Sequence, residues 1–266
     1  MESLLSQPID RICVIENSGD PKELENLQAA FGGHAKIKIM PTGQNLGFAG
    51  GVNFALRSML PLGFDGFVIL NNDTVLPPDL MERLRKGADD LALDVASPVI
   101  YRYPDQGVLW SSGSYYNAWT GILSTGRIPG IPGSIFYLPG CCLFVRRRVF
   151  ETVGLFDEAF FMYGEDVEFC HRAARGRFRI GIIPEARIYH KTGAASVQNS
   201  LFYEAQVNKG HLLLARKLFR SAGAQLAALC LKIPVLFLRA CLRTARFKNG
   251  NALRGYVSAV RELLVH

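Results

Sequence analysis

Two apolar runs that stop abruptly at polar residues constrain this chain most. Residues 11–15 (RICVI) give way to Glu16-Asn17-Ser18, and residues 66–70 (GFVIL) give way to Asn71-Asn72-Asp73. Short apolar runs bounded by turn residues read as buried strands. A helix is expected over 21–30, with Pro21 suited to its first turn. Residues 36–40 (KIKIM) alternate like a strand, and a glycine-rich loop from Gly43 to Gly51 leads into a helix from Val52 to Met59. Pro77-Pro78-Asp79 opens another helix over roughly 79–90, and a further strand is expected at 94–100. Strands alternating with helices imply an α/β protein with a mostly parallel sheet flanked by helices. In such sheets ligands bind beyond the carboxyl ends of the strands, which is where both polar runs fall.

Further along, the pattern loosens and then becomes helical. Residues 102–136 are rich in Gly, Ser, Tyr and Trp and read as loops and short strands over the site. A strand (CLFVR) follows Pro139-Gly140, then helices near 147–153 and up to Arg175. A strand at 178–183 is expected to end near Pro184, with His190 just beyond it. From 201 on, helices dominate, so the chain divides into a domain of residues 1–200 and a helical extension of residues 201–266.

Charge is distributed unevenly. The segment 209–266 carries eleven Lys or Arg against the single acid Glu262, although the whole chain is only +7. Such asymmetry points to an anionic partner surface. A nucleic-acid partner is disfavoured because no recognisable binding module accompanies the basic tail. The six cysteines form no CxxC pair, which fits reduced, buried thiols in a cytoplasmic protein and argues against zinc. The start, MESLLSQPIDR, lacks the basic and apolar regions of a signal peptide. Residues 222–242 are apolar but contain Lys232, Pro234 and Arg239. These three favour a surface-lying helix, kinked at Pro234, over a membrane span.

Four groups of residues carry chemistry. Asn71, Asn72 and Asp73 offer hard oxygen ligands at a strand end, suited to Mg²⁺ or Mn²⁺ with substrate phosphates, although Asn and Asp also favour plain turns. The stretch from Asn45 through Phe48, Gly50 and Gly51 precedes a helix whose N-terminus suits a phosphate; a tight loop would use the same glycines. Glu165-Asp166 follows the aromatic run Phe160-Phe161-Met162-Tyr163, a pairing suited to a general base beside a sugar-stacking surface. Acids at a helix N-terminus also simply favour the dipole. His190 is a candidate metal ligand.

Taken together, the stretches VIENSGD, NLGFAGGVNFAL, VILNNDTVLPPDL and LPGCCLFVRRRVFETVGLFDEAFFMYGEDVEFCHRA, with the trailing His190, resemble family 2 glycosyltransferases, particularly the bacterial rhamnosyltransferase-like branch. The resemblance implies a GT-A (Rossmann-like) fold, a nucleotide-sugar donor, inversion at the anomeric carbon, and Mg²⁺ or Mn²⁺. It implies that Asp73 and His190 meet the metal and diphosphate, and that Glu16, Asn17, Ser18, Asn45, Phe48, Gly50, Gly51, Asn71 and Asn72 serve the donor. Asp166 stands for the catalytic base, with Glu165 its acidic neighbour. Trp110, Trp119 and Tyr163 are expected to border the acceptor, the two tryptophans within a segment 101–137 expected to be mobile. The acceptor class implied is a saccharide or a lipid-linked sugar in cell-surface polysaccharide synthesis, with rhamnose a candidate donor sugar. The protein would work in the cytoplasm or on the inner face of the cell membrane, where the basic tail meets anionic lipid.

Two departures stand out. Glu16 is one methylene longer than the Asp usual there. The family's first strand and its Thr/Asn-Tyr-Asn-like turn have no counterpart, because ESLLSQ resembles the end of the helix that follows them. A strand lost from inside a sheet leaves ladder groups unpaired. The alternatives are a nucleotidyltransferase, for which the basic Gly-rich phosphate loop is lacking, and a non-catalytic relative acting as a binding or scaffold protein.

Overall fold

The computed structural model describes residues 2–125, 131–191 and 199–265. Two helices and two strands open the chain: α1 (Glu2–Leu5), β1 (Ile12–Glu16), α2 (Pro21–Phe31) and β2 (Ile37–Pro41). β1 and β2 pair in parallel, Ile12 opposite Ile37, as a separate two-stranded sheet. Next come α3 (Gly47–Met59), β3 (Gly66–Leu70), β4 (Thr74–Val75), α4 (Leu80–Asp90) and β5 (Val95–Arg102). Short strands β6 (Leu109–Ser111), β7 (Ser114–Asn117), β8 (Leu123–Thr125) and β9 (Ser134–Tyr137) lead to β10 (Cys142–Arg146), α5 (Arg147–Val153), α6 (Glu165–Arg175) and β11 (Ile180–His190). Three helices close the chain: α7 (Leu201–Lys217), α8 (Ala222–Phe247) and α9 (Asn251–Val265).

The α/β class and the helical C-terminal region are those the sequence leads to, but the strand directions are mixed. The central sheet has the order β3-β10-β5-β11-β4, with β6 added on β5. β5 and β11 are parallel, whereas β10 is antiparallel to both β3 and β5. The cause is the connection from β5 to β10. It passes through the meander β8-β7-β9 at the carboxyl end of β5 and re-enters the sheet from that end. β3, β5 and β11 therefore still point the same way, and their carboxyl ends share one edge.

Local differences have local causes. α3 begins at Gly47, not Val52, so the glycine-rich stretch forms the first turn of the helix. Gly47 has φ of 72°, and a Cβ there would meet the Phe161 carbonyl oxygen at 2.2 Å, so glycine is required. β11 does not stop at Pro184. Its register on β5 shifts between Ile183 and Arg187, and this bulge takes up the proline and lets the strand run on to His190. Residues 101–137 hold much regular structure, four strands among them, and residues 126–130 of that segment lie outside the described residues.

Apolar side chains form a core on each face of the sheet. Leu143, Val145 and Phe169 lie in one, and Leu80, Leu84 and Ile188 in the other. Leu214 of α7 and Leu218 directly after it join a cluster with Tyr116 of β7 and Phe160. The chain beyond residue 200 is thus rooted in the same body. α9 crosses α7 on small residues. A Cβ at Gly255 would lie 2.7 Å from the Ala205 nitrogen, and Ala252 and Ala259 are buried on the same face.

α8 runs as one helix through Pro234, where a division into two shorter helices was expected. Its inner face is fixed by Glu204 of α7, fully buried, which accepts from Arg239 Nη1 (2.9 Å) and Arg243 Nε (2.6 Å). These contacts and the packing of Leu236 against Leu212 and Ala259 outweigh the roughly 3 kcal/mol a helical proline costs. Glu204→Ala should lower folding stability by about 3 kcal/mol, because two guanidinium groups lose a buried counter-charge. Urea denaturation checks this through a lower midpoint at unchanged slope. The six cysteines are free, and Cys230 is exposed on α8 rather than buried.

Candidate active site

A cavity of about 2370 Å³ opens along the carboxyl ends of β3, β5 and β11. Both β1 and β3 line it along their whole lengths, and the two strands do not pair with each other. Three groups of polar residues converge on it.

The first group is at the end of β1. Glu16 is buried, and its carboxylate accepts the Ser18 N–H at 2.7 Å and the Ser18 hydroxyl. The hydroxyl bond foremost holds the Glu16 carboxyl below its ordinary range. Asn17 is a brace. Its amide donates to the Gly47 carbonyl at 2.9 Å, and its oxygen accepts the Leu46 N–H at 3.1 Å. Asn45 accepts the Gly47 N–H at 2.9 Å, and Phe48 N–H donates to the Phe161 carbonyl at 2.8 Å. The start of α3 is thereby tied both to β1 and to the aromatic run before α6. Asn45, Phe48 and Gly51 line the cavity, while Gly50 is buried under Leu46 in the first turn of α3 and does not.

The second group follows β3. Asn71 N–H donates to the Cys141 carbonyl (2.9 Å), which turns the chain so that Asp73 is buried and Asn72 is exposed. His190 Nε2 lies 3.0 Å from Asp73 Oδ1, and Lys191 N–H donates to the Asp73 carbonyl at 2.8 Å. β4, which pairs with β11 through His190 and Thr74, clamps the two side chains together. Trp110 sits edge-on to His190 with centroids 5.0 Å apart.

The third group opens α6. Tyr163 and Gly164 both have positive φ, 71° and 103°, so the aromatic run turns sharply into the helix. Asp166 Oδ2 accepts the Gly140 N–H (3.4 Å), and Glu165 is buried with Oε2 unpartnered among the described residues. Burial pushes Asp166 up to about 6. Glu165 is raised as well, first by burial and then by the charge of Asp166. Cys141 links the two acidic places. Burial foremost, and then the charges of both Asp73 and Asp166, push its thiol up to about 12.

Trp110 and Tyr163 line the cavity, but Trp119 does not. Its ring packs on Phe219 at 4.3 Å and under Gly133, which closes the meander against the end of α7. The sequence reading missed Gly140, Tyr137 and Arg102. Gly140 was legible in the Pro139-Gly140 turn directly before a strand. Tyr137 is a half-buried phenol, raised foremost by desolvation and also by the Asp166 charge. Arg102 is the register partner of His190 and lines the same cavity, which no local pattern announces.

The donor set bears on whether a divalent cation suits the site. Among the described residues no three His, Cys, Asp or Glu side chains form a metal cluster. Asp73 and His190 do come together, and His190 Nδ1 is buried without a hydrogen-bond partner among the described residues. Cations such as Mg²⁺ complete their shell with water and substrate phosphates, so the pair fits a cation that arrives with a diphosphate better than a standing protein cage.

The mixed sheet flanked by helices, with a helical C-terminal region, is a GT-A fold, as its likeness to solved structures shows. A mannosyltransferase of Pyrobaculum calidifontis, solved in complex with GDP-Man and Mn2+, superposes with a TM-score of 0.55 over 99% of this chain and 81% of its own, at 15% identity. Residues 1–154 match the model of Glycosyl transferase family 2, and the chain belongs to that family. It is 29% identical over 189 residues to an N-acetylglucosaminyl-diphospho-decaprenol L-rhamnosyltransferase of Mycobacterium tuberculosis, covering 61% of each chain. It is 30% identical over 155 residues to a low-salt glycan biosynthesis hexosyltransferase of Haloferax volcanii, covering 56% of this chain and 50% of that one. The chain thus spans between half and two thirds of the length of these relatives.

Proposed function

We propose that this protein transfers a sugar, with inversion, from a nucleotide-sugar donor to a saccharide or lipid-linked acceptor, working at the cytoplasmic side of the cell. The observation that carries the reading is the convergence of the Asp73–His190 pair and the Glu165–Asp166 pair on one cavity that Cys141 also lines. Glu16, Asn45 and the first turn of α3 border the donor, with Asn17 and Gly47 holding that border in shape. Asp73 and His190 would hold Mg²⁺ or Mn²⁺, which when bound neutralises charge on the departing diphosphate. Asp166 accepts the proton of the acceptor hydroxyl as that oxygen attacks the anomeric carbon and the bond to the diphosphate breaks. The Gly140 N–H orients its carboxylate, and Trp110 and Tyr163 present ring surface to sugar. The rhamnosyltransferase and hexosyltransferase relatives favour a hexose or deoxyhexose, rhamnose first, and a place in cell-surface polysaccharide synthesis.

A panel of nucleotide sugars with Mn²⁺ and a lipid-diphosphate-sugar acceptor tests the reading. Product with one donor supports it. No turnover together with no calorimetric binding of nucleoside diphosphate in the presence of Mn²⁺ would favour the scaffold alternative. The pH profile carries a further expectation. The base works only when deprotonated, and Asp166 holds its proton up to about 6. kcat/KM should therefore fall as pH drops through that value, instead of near the ~4 of an ordinary carboxylate. A limb at the ordinary position would remove Asp166 from the role.

A further inference from the structure

α8 is built inside out. Between Gly223 and Ala245 its charged residues, Lys232, Arg239 and Arg243, face inward. Lys232 is fully buried, donates to the His211 carbonyl (3.3 Å) and lies over the Tyr116 ring, while both arginines meet Glu204. Its large apolar residues face outward. Leu226, Leu238 and Leu242 are 63%, 59% and 63% exposed, and Leu231 and Phe237 are exposed beside them. These positions fall on one side of an α-helix at 100° per residue, and from Gly223 to Ala245 every exposed residue of α8 is uncharged. About 16 residues at 1.5 Å make an uninterrupted apolar strip on the order of 25 Å long. Water does not select such a face, and a strip this long marks a contact surface.

The surrounding charge identifies what covers it. Arg220 precedes the strip, Arg246 and Lys248 follow it, and Arg254 and Arg261 lie on the adjoining α9; all five are exposed and without an ion pair among the described residues. Other basic residues of the region are used internally, Lys209 on Glu262 and Lys217 on Asp157. What remains outside is an apolar strip bracketed by cations with no acid beside it. We propose that this face of α8 docks the protein on an anionic lipid bilayer, the helix lying along the surface with its leucines in the headgroup–acyl boundary. Exposed cations near such a surface add about 1 kcal/mol each. By length and hydropathy α8 also qualifies as a membrane-crossing helix. Crossing would tear Lys232 from its buried seat and break both arginine pairs to Glu204, whereas lying flat keeps them.

This inference goes beyond the proposed activity and can be tested without it. Full-length protein is floated with phosphatidylcholine vesicles with and without phosphatidylglycerol, at low and moderate salt. Flotation confined to the anionic vesicles and weakened by salt is the expected result. A Leu231→Gln/Leu238→Gln/Leu242→Gln variant should lose about tenfold or more of the floated fraction while keeping the wild-type melting temperature, since its sites are exposed. An Arg246→Gln/Lys248→Gln variant should lose a smaller share and become less salt-sensitive. Absence of flotation at low salt overturns the proposal. So does resistance to alkaline carbonate, which assigns α8 to a span, and so does a dimer in light scattering that the leucine variant dissolves, which assigns the face to a second copy. Sugar transfer to a soluble acceptor should survive in both variants, so loss of docking and loss of activity are distinguishable.

Discussion

Asp166→Asn should lower kcat by about 10²–10⁴ while leaving donor affinity within a few-fold of wild type. The substitution preserves size but keeps one acceptor oxygen where Asp166 offers two, to the Val167 N–H (2.8 Å) and to the Gly140 N–H (3.4 Å), so a melting temperature is measured alongside to check that the opening turn of α6 is kept. What disappears is the capacity to hold a proton. Single-turnover rates at saturating donor, measured beside calorimetric affinity for the nucleoside diphosphate, separate the two effects. Near-normal transfer by the variant would rule Asp166 out. Glu165→Gln supplies the contrast. Glu165 is buried, and its carboxyl is raised first by burial and then by the Asp166 charge, which disfavours it as the base. Its loss should alter the limb of the pH profile through the coupled charge more than the plateau rate. If the Glu165 variant is instead the dead one, the base is the first acid of the pair.

Asp73→Ala should abolish the Mn²⁺ dependence of nucleoside diphosphate binding, costing about 100-fold or more in affinity at saturating Mn²⁺. It removes the only carboxylate of the Asp73–His190 pair and leaves His190 Nε2 without its 3.0 Å partner. Titration of the diphosphate with and without Mn²⁺ reads this directly. The same Mn²⁺-dependent affinity in variant and wild type would place the metal elsewhere. The change is local: Asp73 is held through its backbone carbonyl by Lys191, a bond that alanine keeps. A circular-dichroism melt close to wild type is expected alongside the lost binding.

Much of this was legible because the chemistry sits where regular structure ends. The strand ends at Glu16 and Asp73 are visible as apolar runs meeting polar ones, and Glu165-Asp166 is visible as acids opening a helix. What sequence periodicity misses is long-range pairing. Nothing local says that β10 runs against β3 and β5, because the register of Cys142 on Leu70 is set by the route of the intervening meander. Nor does a window of residues reveal that Trp119 is spent on Phe219 while Trp110 faces His190. The continuation of β11 past Pro184 depends on a bulge, and the helical state of Gly47–Gly51 depends on a carbonyl from Phe161, over one hundred positions away. The basic tail misleads in the same way. Charge counted along the chain takes no account of Glu204, whose single buried carboxylate absorbs two of its arginines.

The unjoined edges of β1 and β3 give the molecule a fault line. Two paired strands are marginal as an independent sheet, and α2 buries no residue that would anchor them. The piece made of β1, α2 and β2 is fastened to the rest chiefly through α3, by the Asn17 brace at one end and by Asn53, which donates to the Phe156 carbonyl, further along. Its amides belong at the low end of the protection ladder, opening as a unit before the central sheet does. A ligand long enough to touch Glu16 on one bank and Asp73 on the other would act as a rivet, closing with its own contacts a seam that the backbone leaves open. Substrate affinity and the cohesion of this half are then the same quantity measured from two sides.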